Sequence, residues 1–156
     1  MQLIKILDLL VRLYRGVLGT TGIETIEIVR GIVDNIKPKL VIAIDSLCSK
    51  NIDRINKSIQ ISDTGIIPGG GVGNRQEELS KETLGVPVIG VGIPTVLDAA
   101  TIVIDTLQVC EIDISEDVIV DKMMLNDFNF IVTPKEIDSL IENMTTIVSE
   151  GINMCI

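Results

Sequence analysis

Histidine is missing from the 156 residues, tryptophan is missing too, and the aromatic complement is Tyr14, Phe128 and Phe130. Without an imidazole there is no Ser-His or Cys-His catalytic pair, no histidine-ligated metal and no ordinary proton shuttle near neutral pH. Without aromatic platforms, stacking on bases or sugars has nothing to work with, and the core falls to Ile, Val, Leu and Met. Cysteine is scarce: Cys48, Cys110 and Cys155 are odd in number, far apart and form no CxxC. That argues against a disulfide framework or a thiolate zinc site and fits a reducing cytoplasm. Positive charge is short as well, with 13 Lys+Arg against 22 Asp+Glu for a formal net charge of −9, so direct contact with nucleic acid is not expected. Nothing in this inventory asks for a metal or an organic cofactor. Nor is a membrane partner expected. The start, MQLIKILDLLVRLYRG, is interrupted by Lys5, Asp8, Arg12 and Arg15 well short of the roughly 18 apolar residues of a span. Its Leu3, Ile6, Leu9, Leu10 and Leu13 keep helical spacing and predict an amphipathic helix packed on a neighbour.

What remains is one domain's length of chain with 46% hydrophobic residues, enough to cover a core. Thr21 and Glu24, three apart ahead of the apolar-periodic run Ile23, Ile26, Ile28, Val29, Ile32 and Val33, predict a capped helix ending near Lys37-Pro38. LVIAID, residues 40–45, is a short β-branched run that predicts a strand covered on both faces, with Asp45 at its carboxyl end. SIQISD, residues 58–63, alternates Ile59 and Ile61 with polar residues and predicts a strand with one polar face. PVIGVGI, residues 87–93, predicts a second apolar strand. Thr95 and Asp98 then suggest a capping box that opens another helix. The acid-rich stretch 111–132 reads as a flap or linker, and 133–151, opening on Thr133-Pro134-Lys135-Glu136, as a carboxyl-terminal helix. The order of elements is that of an α/β domain, with LVIAID covered on both faces as in a parallel sheet.

The chemistry concentrates between residues 45 and 95. Ligands in open α/β sheets collect outside the carboxyl ends of strands, which makes Asp45 a candidate general acid or base; capping the turn Ser46–Ser49 is the alternative reading. The run ISDTGIIPGGGVGN, with Gly65, Gly69, Gly70, Gly71 and Gly73, has the backbone freedom to approach phosphate or an extended peptide. It matches neither GxxxxGK[ST] nor a GxGxxG ahead of a helix, so a nucleotide is disfavoured. Asp63-Thr64-Gly65 repeats the three letters at the aspartates of pepsin-like proteases without their all-β surroundings. The polar segment 74–85 reads as a solvated face. Cys48 has no base to activate it and reads as a small, partly buried thiol.

The segments GTTGIETIEIVRGIVDNIKPKLVIAIDSL, INKSIQISDTGIIPGGGVGN, ELSKETLGVPVIGVGIPTVLDAATIVIDT and VTPKEIDSLIENMTTIVSEGINM together resemble the spore germination protease family. These are endopeptidases of Bacillus and Clostridium relatives that degrade small acid-soluble spore proteins. The resemblance covers roughly residues 17–156. It implies a three-layer α/β fold with a partly parallel central sheet, similar to the hydrogenase maturation proteases and here a single, partial domain over residues 1–156, and a zymogen that forms a homotetramer in the spore interior. It also implies an acid-residue mechanism with two aspartates. The first matches Asp45 in VIAIDSL. The second belongs to a loop ahead of the TGIET segment, in an amino-terminal part with no counterpart here. Proton sharing needs two carboxyls about 3 Å apart, so Asp45 alone does not complete that site. Asp63 stands as the substitute second acid, with Ser62, Gly65, Gly71, Gly73 and Asn74 as substrate-binding residues. The alternative expectation is a non-catalytic half that keeps subunit contacts or docks a separate amino-terminal part.

Overall fold

The structure, a computed structural model, describes residues 24–70, 76–128 and 130–155 together with the backbone of 2–6 and 13–15. The chain divides into two compact units, Met1–Leu47 with Ile59–Ile93, and Cys48–Ser58 with Pro94–Ile156.

In the first unit, helix α1 (Thr25–Ile36) starts one turn later than the Thr21 reading, with Glu24 as its N-cap. Glu24 and Glu27 form a reciprocal capping box in which the Glu24 N–H donates to Glu27 Oε2 at 3.3 Å. Thr21 itself lies outside the described residues. The helix stops where expected: Lys37 turns left-handed at φ 52°, its N–H returns to the Val33 carbonyl at 2.8 Å, and Pro38 forbids continuation. Thr25, Ile26, Val29 and Val33 form its buried face. Against Ile26, Val29 and Val33 pack Val41 and Ala43 of strand β3 (Val41–Ser49), Leu79, Leu84 of the short helix α2 (Lys81–Leu84), and Val88 of strand β5 (Val88–Asp98).

The sheet runs in the order β2-β1-β3-β5-β4, where β4 is Gln60–Ser62. Val41 N, at the start of β3, donates to Pro87 O just before β5, and further along Leu47 lies against Gly92, so β3 and β5 run the same way. β4 runs against β5, with Gln60 opposite Gly92 and Ser62 opposite Gly90. The α/β class with a partly parallel sheet is therefore the observed one. Ile61, expected on a covered face, is 72% exposed because β4 lies at the end of the strand order.

The start of the chain corrects the helix expectation. Gln2–Ile6 forms β1 and Leu13–Arg15 forms β2, antiparallel to one another, and β1 is antiparallel to β3 with Leu3 opposite Ile44 and Ile6 opposite Val41. An apolar run of this length satisfies either periodicity, and the unpaired backbone edge of β3 decides in favour of a strand.

Two further boundaries differ. β3 continues four residues beyond Asp45, and β5 continues to Asp98, so the box expected at Thr95 does not open a helix. Asp98 is instead the N-cap of α3 (Ala99–Val109), accepting from the Ala100 N–H at 2.8 Å. In the second unit the acid-rich segment holds helix α4 (Glu116–Leu125) and strand β6 (Ile131–Val132), which pairs with Leu97 and Asp98 of β5. Helix α5 (Ile137–Met154) follows, with Glu136 as N-cap. Among the described residues no helix is long and apolar enough to cross a membrane.

Candidate functional site

Asp45 sits on β3, an interior strand whose Ala43, Ile44 and Asp45 are buried in succession, and it is 8% exposed. A carboxylate taken that far from water needs a donor. The donor is the backbone N–H of Gly69, 2.8 Å from Asp45 Oδ2 and 24 residues away in sequence. Among the described residues this is the hydrogen bond that the Asp45 side chain makes.

The loop is shaped to deliver that N–H. Ile67-Pro68-Gly69-Gly70 closes through Gly70 N to Ile67 O at 3.1 Å, with Gly69 at φ 67°. Proline at the second position and a left-handed glycine at the third are the requirements of a type II turn. Pro68 is fully buried, which pins the turn. On one side of it, Ile66 and Leu79 exchange backbone hydrogen bonds at 3.0 and 2.8 Å. There Gly65, at φ 106°, passes so close to the Leu79 carbonyl that no side chain fits. Beyond the loop, Gln76 accepts from the buried Thr25 hydroxyl at 2.9 Å, and Glu77 pairs with Arg30 at 3.2 Å on the exposed side of α1.

Of the other expected site residues, Ser62 and Asp63 lie where β4 ends. Ser62 Oγ accepts from the Thr64 N–H at 3.1 Å and shares a 2.6 Å hydrogen bond with Thr64 Oγ1, a local turn with Asp63 exposed at its tip. β5 lies between β3 and β4 in the strand order, so Asp63, just past the end of β4, is separated from Asp45 by a strand. The structure thus joins Asp45 to the glycine loop and, among the described residues, gives Asp63 no hydrogen bond to either. Gly71, Gly73 and Asn74 lie outside the described residues. The residue that sequence reading missed is Gly69 as the partner of Asp45; the Pro-Gly turn signal was visible, its distant acceptor was not.

Cys48 is half-buried, and burial, with the Asp98 carboxylate as the second cause, pushes its thiol above the ordinary value, which keeps it protonated and unreactive. Among the described residues no group of three or more acids and cysteines is arranged to hold a metal.

Comparison with known proteins gives this geometry a family context. The family model described as germination protease matches residues 10–116, a span that includes Asp45 and the whole glycine loop. The chain is similar to the germination protease of Caldanaerobacter subterraneus subsp. tengcongensis, 46% identical over 162 residues, covering 90% of this chain and 50% of that protein. The Clostridium acetobutylicum germination protease is 45% identical over the same shares. That of Bacillus mycoides is 37% identical over 190 residues, 88% of this chain and 52% of the relative. The chain spans about half the length of the curated relatives it matches. With the matched region enclosing both the buried aspartate and the loop that binds it, the chain belongs to the germination protease family.

Proposed function

We propose that this chain carries the Asp45 side of an endopeptidase site of the germination protease type, acting on small acid-soluble spore proteins in the spore interior. The observation that supports the reading is the hydrogen bond from Gly69 N–H to Asp45 Oδ2, inside the region matched by the family. Holding one carboxylate oxygen on a rigid turn fixes the carboxyl plane and leaves Oδ1 for water. Asp45 then takes a proton from water as it attacks the scissile carbonyl, and a second acid protonates the departing amine. Loop residues 65–74, including Gly65, Gly71, Gly73 and Asn74, hold the substrate backbone with Ser62.

The second acid is either Asp63 or a carboxyl supplied from outside this sequence. The position of Asp63 on the far side of β5 favours the latter. It also favours a second reading of the chain, as a half that needs a complementary amino-terminal part before any bond is cut. One experiment addresses both. The purified chain is incubated with a small acid-soluble spore protein, alone and with the amino-terminal half of the Clostridium acetobutylicum relative. The expected outcome is cleavage only in the mixture, lost with Asp45→Asn and kept with Asp63→Asn. Cleavage that survives Asp45→Asn overturns the role given to Asp45. Cleavage by the chain alone that is lost with Asp63→Asn installs Asp63 as the second acid.

A further inference from the structure

The second unit contains a cleft of about 410 Å³ between α3, α4 and the end of β3, within the size range of small-ligand sites. Its charged lining is Lys50, Asp98, Asp105 and Glu116, three carboxylates against one ammonium. Among the described residues none of the four takes part in an ion pair. The cleft also lies in a strongly negative setting, since this unit carries five basic and thirteen acidic residues, a net of −8 (5 − 13). A concave acidic surface of this kind concentrates cations.

The rest of the lining is not that of a bare ion site. Ile104, Val120, Met123, Met124 and Phe128 make its apolar lining, with Met124 60% exposed. Thr101 is the buried polar member: it lines the cleft, is 9% exposed, and makes no hydrogen bond through its hydroxyl among the described residues. A ligand suited to these features has a cationic head for the carboxylates and a donor for Thr101. It also has an alkyl stem to lie along the methionines and the face of Phe128. A hydrated metal ion supplies the charge without the stem, and an apolar side chain supplies the stem without the charge.

We propose that this cleft seats a lysine or arginine side chain of a peptide segment, as a docking subsite that does not include Asp45. The choice of a peptide over a free alkylamine rests on the proteolytic reading. The readout below is binding, not cleavage, so the failure of either idea is distinguishable from failure of the other.

The test titrates the full chain, labelled at the methionine methyls, with capped Ala-Ala-Lys-Ala-Ala, its arginine counterpart, and versions carrying norleucine or glutamate at the centre. Saturable shifts of Met123 and Met124 with the lysine or arginine peptide, and none with the other two, are expected. The affinity should fall about tenfold in Asp105→Asn/Glu116→Gln. It should rise in Lys50→Gln, a gain that misfolding cannot imitate. Equal binding of the norleucine peptide overturns the proposal, as does an affinity indifferent to all three substitutions. Putrescine that binds as tightly as the lysine peptide overturns the peptide assignment, and the same shifts on raising protein concentration alone assign the cleft to a second copy.

Discussion

A single backbone N–H distinguishes two substitutions at Asp45 that a list of catalytic residues treats alike. Asp45→Asn keeps an oxygen for the Gly69 N–H, so the fold loses little, while Asp45→Ala leaves that donor buried without an acceptor. The expected costs are below about 1 kcal/mol for Asn and about 1–3 kcal/mol for Ala, read from denaturant midpoints. Equal midpoints would mean that the hydrogen bond does not support the loop. Gly69→Ala reaches the same contact from the other side. At φ 67° an L side chain costs about 1–2 kcal/mol, and relaxing that strain turns the N–H away from Asp45, so stability and any cleavage fall together. Cys48 gives a pH-linked prediction. Burial first and the Asp98 charge second favour the neutral thiol in the fold, raising its value above about 9.0. The folded state therefore holds the proton that the unfolded chain releases. This contribution is whole below pH 9.0 and is lost as pH rises through the raised value. Iodoacetamide near pH 8 should accordingly label the exposed Cys110 and Cys155 well before Cys48, as followed by mass spectrometry. Asp45 itself was legible as a site candidate because an acid closing an apolar β-branched run is conspicuous. Its contact was not, because a pairing across 24 residues leaves no mark in local pattern.

Among elements, the interior strands and α1 were legible because period and punctuation agreed: a β-branched run after Pro38 for β3, and a buried face at Ile26, Val29 and Val33 ending at Lys37-Pro38 for α1. Two elements were hidden for different reasons. The apolar spacing of residues 3–13 fits a helix, yet β1 pairs with β3 from Leu3 to Ile6, and no local rule reports an edge that needs covering. Helix α4 was masked by its own acids. Glu116 and Asp117 read as part of a flap or linker, although they sit in its first turn, where a helix favours negative side chains. The glycines of β5 show how element packing shapes the loop. A methyl on Gly90 would stand 2.6 Å from the Gly65 carbonyl, part of the loop backbone, whereas one on Gly92 would meet the movable side chain of Leu47. Gly90→Ala should therefore cost about 1–3 kcal/mol and shift the amide signals of Gly65 and Ile66, while Gly92→Ala costs less as Leu47 rotates aside. The reverse order would show that the loop does not rest on β5.

At the scale of the whole chain, charge and apolar surface are concentrated in the same unit. The second unit holds a net of −8 and also, among the described residues, most of the exposed large apolar side chains, with Val109 84%, Leu125 78% and Met154 87% exposed. Helix α5 has no buried residue at all among those described. Apolar surface of that extent favours association, and like charge on the same surface opposes it. The balance is adjustable, because carboxylates lose charge as pH falls toward the isoelectric point near 4.4 and salt shortens the range of repulsion to about 10 Å at 0.1 M. The scattering mass of the chain should therefore rise as pH is lowered from about 8 to about 5, and rise with added salt at fixed pH. Val109→Glu with Leu125→Glu should hold the mass down at about pH 5 without moving the thermal midpoint, since both side chains are already in water. If the mass is insensitive to pH and salt, repulsion between these acids is not what sets the state of assembly. If the two glutamates leave association intact, the surface that drives it lies elsewhere in the molecule.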